Sequence, residues 1–284
     1  MKTRSLIIAS LLSVALFTCK KKADEQGNLP ASEEVKTSCN DVNLFSINQD
    51  AVLGAQVDSQ IRATPNEYPI MDSASNSEAY KILYKIRDEI FTKANVDHEN
   101  DFKWKIAIIK GDSTLNAFCT PGGYMYIYTG IIKYLDNEDD FAGVLGHEIG
   151  HAALRHSTDN IIRTQGIGVL IGIVTGKNPS KLAEITAGLA GKLSLLKYNR
   201  CHETQSDEFS VSVLRNTKYK CNGAASFFEK IVAAGGSSGP TFLSTHPEPG
   251  NRVESINATA TRLACNKTVP AANTDWARLQ QLVK

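Results

Sequence analysis

The stretch Phe141-Ala142-Gly143-Val144-Leu145-Gly146-His147-Glu148-Ile149-Gly150-His151 decides the fold of this chain. Its apolar residues recur at helical spacing, which predicts a buried helix from about Glu138 to Arg155, with Asp136 as its N-cap. Two residues four apart lie about 40° apart around such a helix and one turn apart along it. His147 and His151 can therefore reach one metal ion from the same face.

The neighbouring residue Glu148 indicates that this pair of histidines belongs to a catalytic metal site. Zinc binds imidazole nitrogen, and a catalytic zinc site uses three protein ligands and leaves one position for water. Glu148 lies beside the two histidines, where a carboxylate can act as a general base on that water. A buried helix that displays His and Glu side chains without partners is costly. We therefore predict one Zn2+ per chain, bound in part by His147 and His151.

The third protein ligand should come from a second helix, which the sequence predicts over residues 198–214. The candidate is Glu203, because Asp207 follows it one turn later on the same face. Asp207 can then orient a ligand histidine through its second ring nitrogen. His202 is the rival ligand, although it points away from the face that carries Asp207. His156 lies off the ligand face, and we expect it to be structural, near a helix end that favours a cation.

The rest of the chain indicates an α+β fold that is mainly helical. Helical apolar spacing recurs over residues 79–91, 224–234 and 251–263, and the last helix follows a turn at 244–250. Strand patterns occur at 102–110 and 124–129, with Tyr124, Tyr126 and Tyr128 on one face of the second strand. Residues 161–197 are apolar with interspersed lysines, which favours packed helices, with an apolar lid or a membrane-surface contact as the alternative.

The N-terminus differs in character from the rest. Lys2 and Arg4 precede an uncharged apolar run that is too short to span a bilayer, which predicts an export signal over residues 1–18. Cys19 follows directly, as in bacterial lipoprotein signals, so we expect it to anchor the chain to a membrane. Residues 19–40 are polar and are expected to form a flexible tether. The predicted location is the periplasmic side of a bacterial membrane.

The net charge limits the class of partner, and the cysteine content limits the possible disulfides. The chain has 31 basic and 30 acidic residues, a net charge of +1, which argues against nucleic acid as a partner. In an exported chain cysteines can pair. Beyond Cys19 the number of cysteines is odd, so at least one stays free, and the sequence does not fix the pairing among Cys39, Cys119, Cys201, Cys221 and Cys265.

The chain resembles the membrane-associated zinc metallopeptidase family that includes HtpX, the CAAX prenyl proteases and the exported proteases LoiP and BepA. The resemblance covers roughly residues 44–263 and is greatest to the compact exported branch. Ser206 departs from the family pattern, which usually has Ala at that position. Four blocks carry the resemblance: Asn116-Ala117-Phe118 with Pro121-Gly122-Gly123-Tyr124, His147-Glu148-x-x-His151, Arg200-x-x-Glu203-x-x-x-Asp207, and Ser244-Thr245-His246-Pro247 with Arg252.

The resemblance implies a zincin-like domain with a small β-sheet beside the active-site helix. It assigns zinc binding to His147, His151 and Glu203, general-base catalysis to Glu148, and orientation of a ligand to Asp207. We place this domain at residues 41–265 and a C-terminal tail with a short helix at 266–284.

The resemblance also suggests how a substrate binds. The tyrosine-rich strand is expected to be the sheet edge above the metal, to which an extended peptide can add. The expected substrate-binding residues are Asn116, Ala117, Phe118, Gly122, Gly123 and Tyr124. His246 is expected near the metal, either stabilising an oxyanion or occupying the open position.

The implied function is hydrolysis of internal peptide bonds in misfolded or unassembled envelope proteins. The alternative is a latent or chaperone-like zinc-binding lipoprotein that cleaves little. A zinc amidase or esterase that acts on other substrates also stays open, because the same water chemistry serves any acyl transfer.

Overall fold

The computed structural model describes residues 23–24, 27–41, 44–184, 198–233, 242, 245–247, 251–268 and 274–284. The predicted export signal, Cys19 and residues 185–197 of the apolar segment lie outside these residues. Among the helices that are described, none is both long enough and apolar enough to cross a membrane.

Helices make up most of the described chain, beside one small sheet, which confirms the predicted fold class. The strands β1 (Lys105–Ile109), β2 (Ala117–Thr120) and β3 (Tyr124–Tyr128) form this sheet. The helices are α1 (Ile47–Arg62), α2 (Ser77–Lys93), α3 (Thr129–Tyr134), α4 (Glu138–Ala153), α5 (His156–Gln165), α6 (Ile167–Val174), α7 (Arg200–Leu214), α8 (Gly223–Ala233), α9 (Arg252–Arg262) and α10 (Thr274–Leu282).

The tyrosine-rich strand β3 lies at the centre of the sheet, so its prediction as an edge strand is wrong. It pairs in parallel with β1 and antiparallel with β2, in the order β1-β3-β2. The edge nearest α4 is β2, whose four residues are too few to show a strand pattern in the sequence. The tyrosine face of β3 packs with residues of α1, α5 and α6, and the opposite face packs with α4.

Helix α4 is buried along its whole length. It begins as predicted, but its N-cap is Asn137 rather than Asp136, because the Asn137 side chain accepts a hydrogen bond from the backbone N–H of Asp140. Gly146 and Gly150 face α7 closely. A Cβ atom at Gly146 would lie 2.9 Å from Ser210 Oγ, and one at Gly150 would lie 3.2 Å from the Cα of Ser206. These glycines let α7, with its acidic residues, pack against the histidine helix.

The segment of residues 30–41, here called the N-terminal strap, packs on the folded body. Ala31 is buried, and the backbone N–H groups of Lys36 and Thr37 donate to the Glu208 carboxylate at 2.6 and 3.0 Å. A disulfide joins Cys39 to Cys201. The expectation of a flexible tether is therefore wrong for residues 30–40, because these contacts fix the strap to α7.

A second disulfide and the C-terminal helix add further contacts. A second disulfide joins Cys221 to Cys265, and Cys119 is free and buried, which confirms that one of the five cysteines stays unpaired. In the C-terminal helix α10, Trp276 is buried, and its indole N–H donates to the carbonyl of Leu135. This helix therefore packs against α2 and α3.

Candidate metal centre

Three predicted ligands meet in the interior between α4 and α7. The Nε2 atoms of His147 and His151 lie 3.0 Å apart, and each lies 3.5 Å from an oxygen of Glu203. None of the three side chains is more than 2% exposed. The rival His202 lies elsewhere, with its Nε2 atom 2.8 Å from an oxygen of Asp41. The structure therefore brings Glu203, and not His202, to the two histidines.

The buried carboxylates of Glu148 and Glu203 have hydrogen-bonding capacity left unfilled, which is the feature that calls for a cation. Within the described part of the chain, the carboxylate of Glu148 has no hydrogen-bond donor, and Glu203 has an ion-pair contact with the guanidinium of Arg252 at 2.9 Å. Both residues are fully buried, and burying a carboxylate is costly unless positive charge compensates it. Two imidazole nitrogens and one carboxylate form a donor set that suits zinc.

Asp207 and Arg252 contact the predicted ligands on the side away from the metal-facing atoms. Asp207 Oδ1 lies 2.9 Å from Nδ1 of His147. The guanidinium of Arg252 donates to both oxygens of Asp207, at 2.8 and 2.6 Å, and its Nη1 atom lies 2.9 Å from Glu203 Oε2. The sequence places Arg252 in a motif without giving it a role. In the structure, Arg252 holds the carboxylates of Glu203 and Asp207 in place.

Charge around these groups decides their ionisation. Burial opposes ionisation of Glu203, but the neighbouring His246 and Arg252 outweigh it and hold the pKa of Glu203 well below its usual range. Burial also opposes ionisation of Asp207, and Arg252 again lowers its pKa. Burial lowers the pKa of His147, but the neighbouring Asp207 and Glu203 carboxylates outweigh this and raise that pKa to about 9. Protons therefore compete with a metal ion for His147.

Glu148 lies next to the ligand set without belonging to it. Its Oε1 atom is 3.5 Å from Nε2 of His246, and burial raises the pKa of the Glu148 carboxyl. A carboxylate with a raised pKa accepts a proton more readily, which is what a general base requires.

His246 is drawn into the same cluster. Its Nδ1 atom lies 3.2 Å from Nε2 of His147 and 3.3 Å from Glu203 Oε1, so the four side chains could hold one ion. Phe242 stacks on the His246 ring with centroids 4.2 Å apart, and the Phe242 N–H donates to the carbonyl of Leu115. The Nδ1 atom of His246 thus lies among the metal-facing atoms, and both roles expected for it stay predictions.

The structure brings only part of the expected substrate-binding set to this centre. Asn116 is fully buried and contacts Thr245, the neighbour of His246, at 3.4 Å. Ala117 lies on the sheet face that packs with α4. The side chains of Phe118 and Tyr124 point to the opposite face, because side chains alternate along a strand.

The two glycines of the expected set form the turn between β2 and β3. Both have positive φ angles, 75° at Gly122 and 79° at Gly123. A Cβ atom at Gly122 would meet Ala51 of α1, and one at Gly123 would meet Trp104. The turn therefore packs against other parts of the protein, and the structure does not bring these glycines to the metal-facing atoms.

His156 has a different place from the one the sequence predicts. It is fully buried, and its Nδ1 atom lies 2.9 Å from Nδ1 of the ligand His151. Burial and the neighbouring His202 hold the pKa of His156 well below its usual range, so it is no cation at a helix end. The sequence offers little signal for this contact, because it depends on a break in the helix at Arg155.

Comparison with known proteins now settles the family. The family model described as Peptidase family M48 matches residues 77–260, which include the whole histidine helix and α7. The chain belongs to peptidase family M48. This confirms the resemblance seen in the sequence motifs.

Relatives include proteins named as proteases from bacteria and mitochondria. Metalloprotease YcaL of Escherichia coli is 27% identical, over 90% of this chain and 97% of its own length. The beta-barrel assembly-enhancing protease of Yersinia pestis is 25% identical, over 97% of this chain and 58% of its own length. The mitochondrial metalloendopeptidase OMA1 of Schizosaccharomyces pombe is 32% identical, over 55% of this chain and 47% of its own length. The chain thus spans about half the length of several relatives it matches.

Proposed function

We propose that this chain is a zinc-dependent endopeptidase. One observation carries the proposal: His147, His151 and Glu203 converge in the interior, with Glu148 beside them and without a hydrogen-bond donor of its own. A purely structural metal site has no need for such a carboxylate. Membership of peptidase family M48 supports the same activity.

Each residue then has a defined part in peptide hydrolysis. His147, His151 and Glu203 would hold the zinc ion, whose Lewis acidity would make water nucleophilic near neutral pH. Glu148 takes a proton from the attacking water and passes it to the leaving amine. Asp207 orients His147 through its outer ring nitrogen, and Arg252 keeps Asp207 and Glu203 ionised.

We propose misfolded or unassembled envelope proteins as the substrates. The name of the Yersinia relative, a beta-barrel assembly-enhancing protease, supports this class of substrate. An export signal and a lipid anchor at Cys19 would place the enzyme on the periplasmic side of a bacterial membrane, beside such proteins.

The position of His246 favours a second possibility, a latent form that cleaves little. Its Nδ1 atom lies among the metal-facing atoms, where it would compete with water for the fourth position. If this is so, His246→Ala should raise the rate of casein cleavage. An unchanged rate in this variant would contradict latency, and a lower rate would contradict it and favour a direct catalytic role.

Cleavage of casein, an unfolded protein, tests the proposed function. The full chain should cleave casein, lose that activity with a zinc chelator, and regain it when Zn2+ is returned. Cleavage that persists in the chelator would refute metal dependence. Tight zinc binding without cleavage, in both the wild type and His246→Ala, would favour the chaperone-like alternative.

A further inference from the structure

The two ligand histidines are supported in different ways on the side away from the metal. His147 meets a carboxylate, Asp207, whereas His151 meets a second histidine, His156, at 2.9 Å between their Nδ1 atoms. A hydrogen bond between two ring nitrogens needs one donor and one acceptor. Which of them carries the proton therefore decides whether Nε2 of His151 is free to bind a metal.

A break in the helix puts His156 in this position. Helix α4 ends at Ala153, Arg155 has a left-handed backbone with φ of 63°, and α5 begins at His156. The guanidinium of Arg155 and the hydroxyl of Thr158 both bind the Asp50 carboxylate of α1. The break is thus fixed by contacts on both of its sides, and His156 turns back toward His151.

Gln205 fixes the direction of the hydrogen bonds. Its Nε2 atom lies 3.1 Å from the backbone carbonyl of Thr37, and a carbonyl can only accept. The amide NH2 of Gln205 therefore faces Thr37, and its oxygen faces Nε2 of His156 at 2.9 Å. It follows that Nε2 of His156 is a donor.

The positions of the other ring protons of His156 and His151 follow from this donor. A neutral imidazole has one N–H, so Nδ1 of His156 must accept. The hydroxyl of Ser206, 3.3 Å from that nitrogen, is a second possible donor to it. His151 must then donate from its own Nδ1 atom. This leaves the lone pair of its Nε2 atom directed at Glu203 and His147.

We propose that the N-terminal strap selects the tautomer of His151 that can bind the metal, through Thr37, Gln205 and His156. His156 and Gln205 are positioning residues, since they act on the metal only through His151. Thr37 is itself held by Glu208 and lies two residues from the disulfide at Cys39. The inference rests on the proposed metal site, to which it adds a dependence on a segment outside the ligand helices.

Zinc affinity of the full chain, measured by competition with a chromophoric chelator, tests this proposal without reference to catalysis. His156→Leu and Gln205→Leu should each weaken zinc binding by about 10–100-fold, the usual cost of losing a group that orients a ligand. His156→Asn keeps an acceptor near the Nδ1 position and should recover part of that loss. Gln60→Leu, the same replacement on α1, is the matched control and should bind zinc as the wild type does.

The tautomers can also be read directly in the metal-free wild type. Nitrogen NMR of the imidazoles should show the proton of His151 on Nδ1 and that of His156 on Nε2, and this holds even if His156→Leu does not fold. A proton on Nε2 of His151, or wild-type affinity in both Leu variants when folded, would overturn the inference and leave the proposed metal site intact. A wild type that binds no zinc would instead refute the proposed function itself, and this inference with it.

Discussion

At the scale of single residues, Glu203 is the proposed ligand on which the account of the centre depends. It lies 3.5 Å from the Nε2 atoms of both His147 and His151, and it also contacts Arg252. The two histidines were visible in the sequence because they lie on one helix at a fixed spacing. Glu203 became a firm candidate only through its spacing to Asp207 and the family resemblance, because no local pattern shows that two helices meet.

Replacing Glu203 with Gln should remove most metal binding. The amide keeps the size of the Glu203 side chain but loses the negative charge that attracts both Arg252 and a zinc ion. We expect zinc affinity to fall by more than the roughly 10–100-fold expected for an orienting residue such as Asp207, as measured by chelator competition.

Glu254→Gln provides the matched control for this replacement, since Glu254 is exposed on α9. It should leave zinc affinity unchanged. Full zinc affinity in Glu203→Gln would remove Glu203 from the ligand set and reopen the search for a third ligand.

At the scale of elements, the close packing of α4 against α7 builds the site. Gly146 and Gly150 lie where α7 approaches α4 most closely, and side chains at these positions would meet it. The position of β3 in the sheet was predicted wrongly, because β2 is short and strand pairing depends on contacts outside each strand. The position of His156 was missed for a similar reason, since the sequence does not show the left-handed backbone at Arg155.

The first turn of α4 should make stability depend on pH. Burial raises the pKa of Asp140 from 3.8 to about 6, so between these values the folded state holds a proton that the unfolded state has lost. Stability from this group is therefore fully present at low pH and is lost as pH rises through about 6.

Asp140→Asn removes this titration while keeping a side chain of similar shape. Thermal unfolding at the two pH values measures the melting temperature of Asp140→Asn minus that of the wild type. This difference should be larger at pH 7.5 than at pH 4. A difference between variant and wild type that is the same at both pH values would show that Asp140 does not titrate in this way.

At the scale of the whole molecule, the N-terminal strap ties a distant part of the chain to α7. The sequence predicted a flexible tether from polar composition alone, and composition does not reveal a single buried acceptor such as Glu208. The disulfide pairing also lay beyond the sequence, because it depends on which cysteines the fold brings together. Cys39 and Cys201 are 162 residues apart in the chain.

Removing the strap disulfide should destabilise the protein more than removing the other one. The chain-entropy estimate is about 5 kcal/mol for a loop of this length and about 4 kcal/mol for the Cys221–Cys265 loop, with measured values usually nearer 2–4 kcal/mol. Denaturant unfolding of Cys39→Ser with Cys201→Ser, against Cys221→Ser with Cys265→Ser, measures both. Equal stability of the wild type and the strap variant would mean that the strap packs without help from its disulfide.

The central claim, that Glu148 drives hydrolysis at a zinc site built by other residues, is tested most directly by Glu148→Gln. Zinc content and casein cleavage are measured on the same preparation of this variant and of the wild type. We predict one Zn2+ per chain in both proteins, with cleavage by the variant reduced by about 10²–10⁴-fold, the usual contribution of a general base. Wild-type cleavage by a zinc-loaded Glu148→Gln variant would contradict the account.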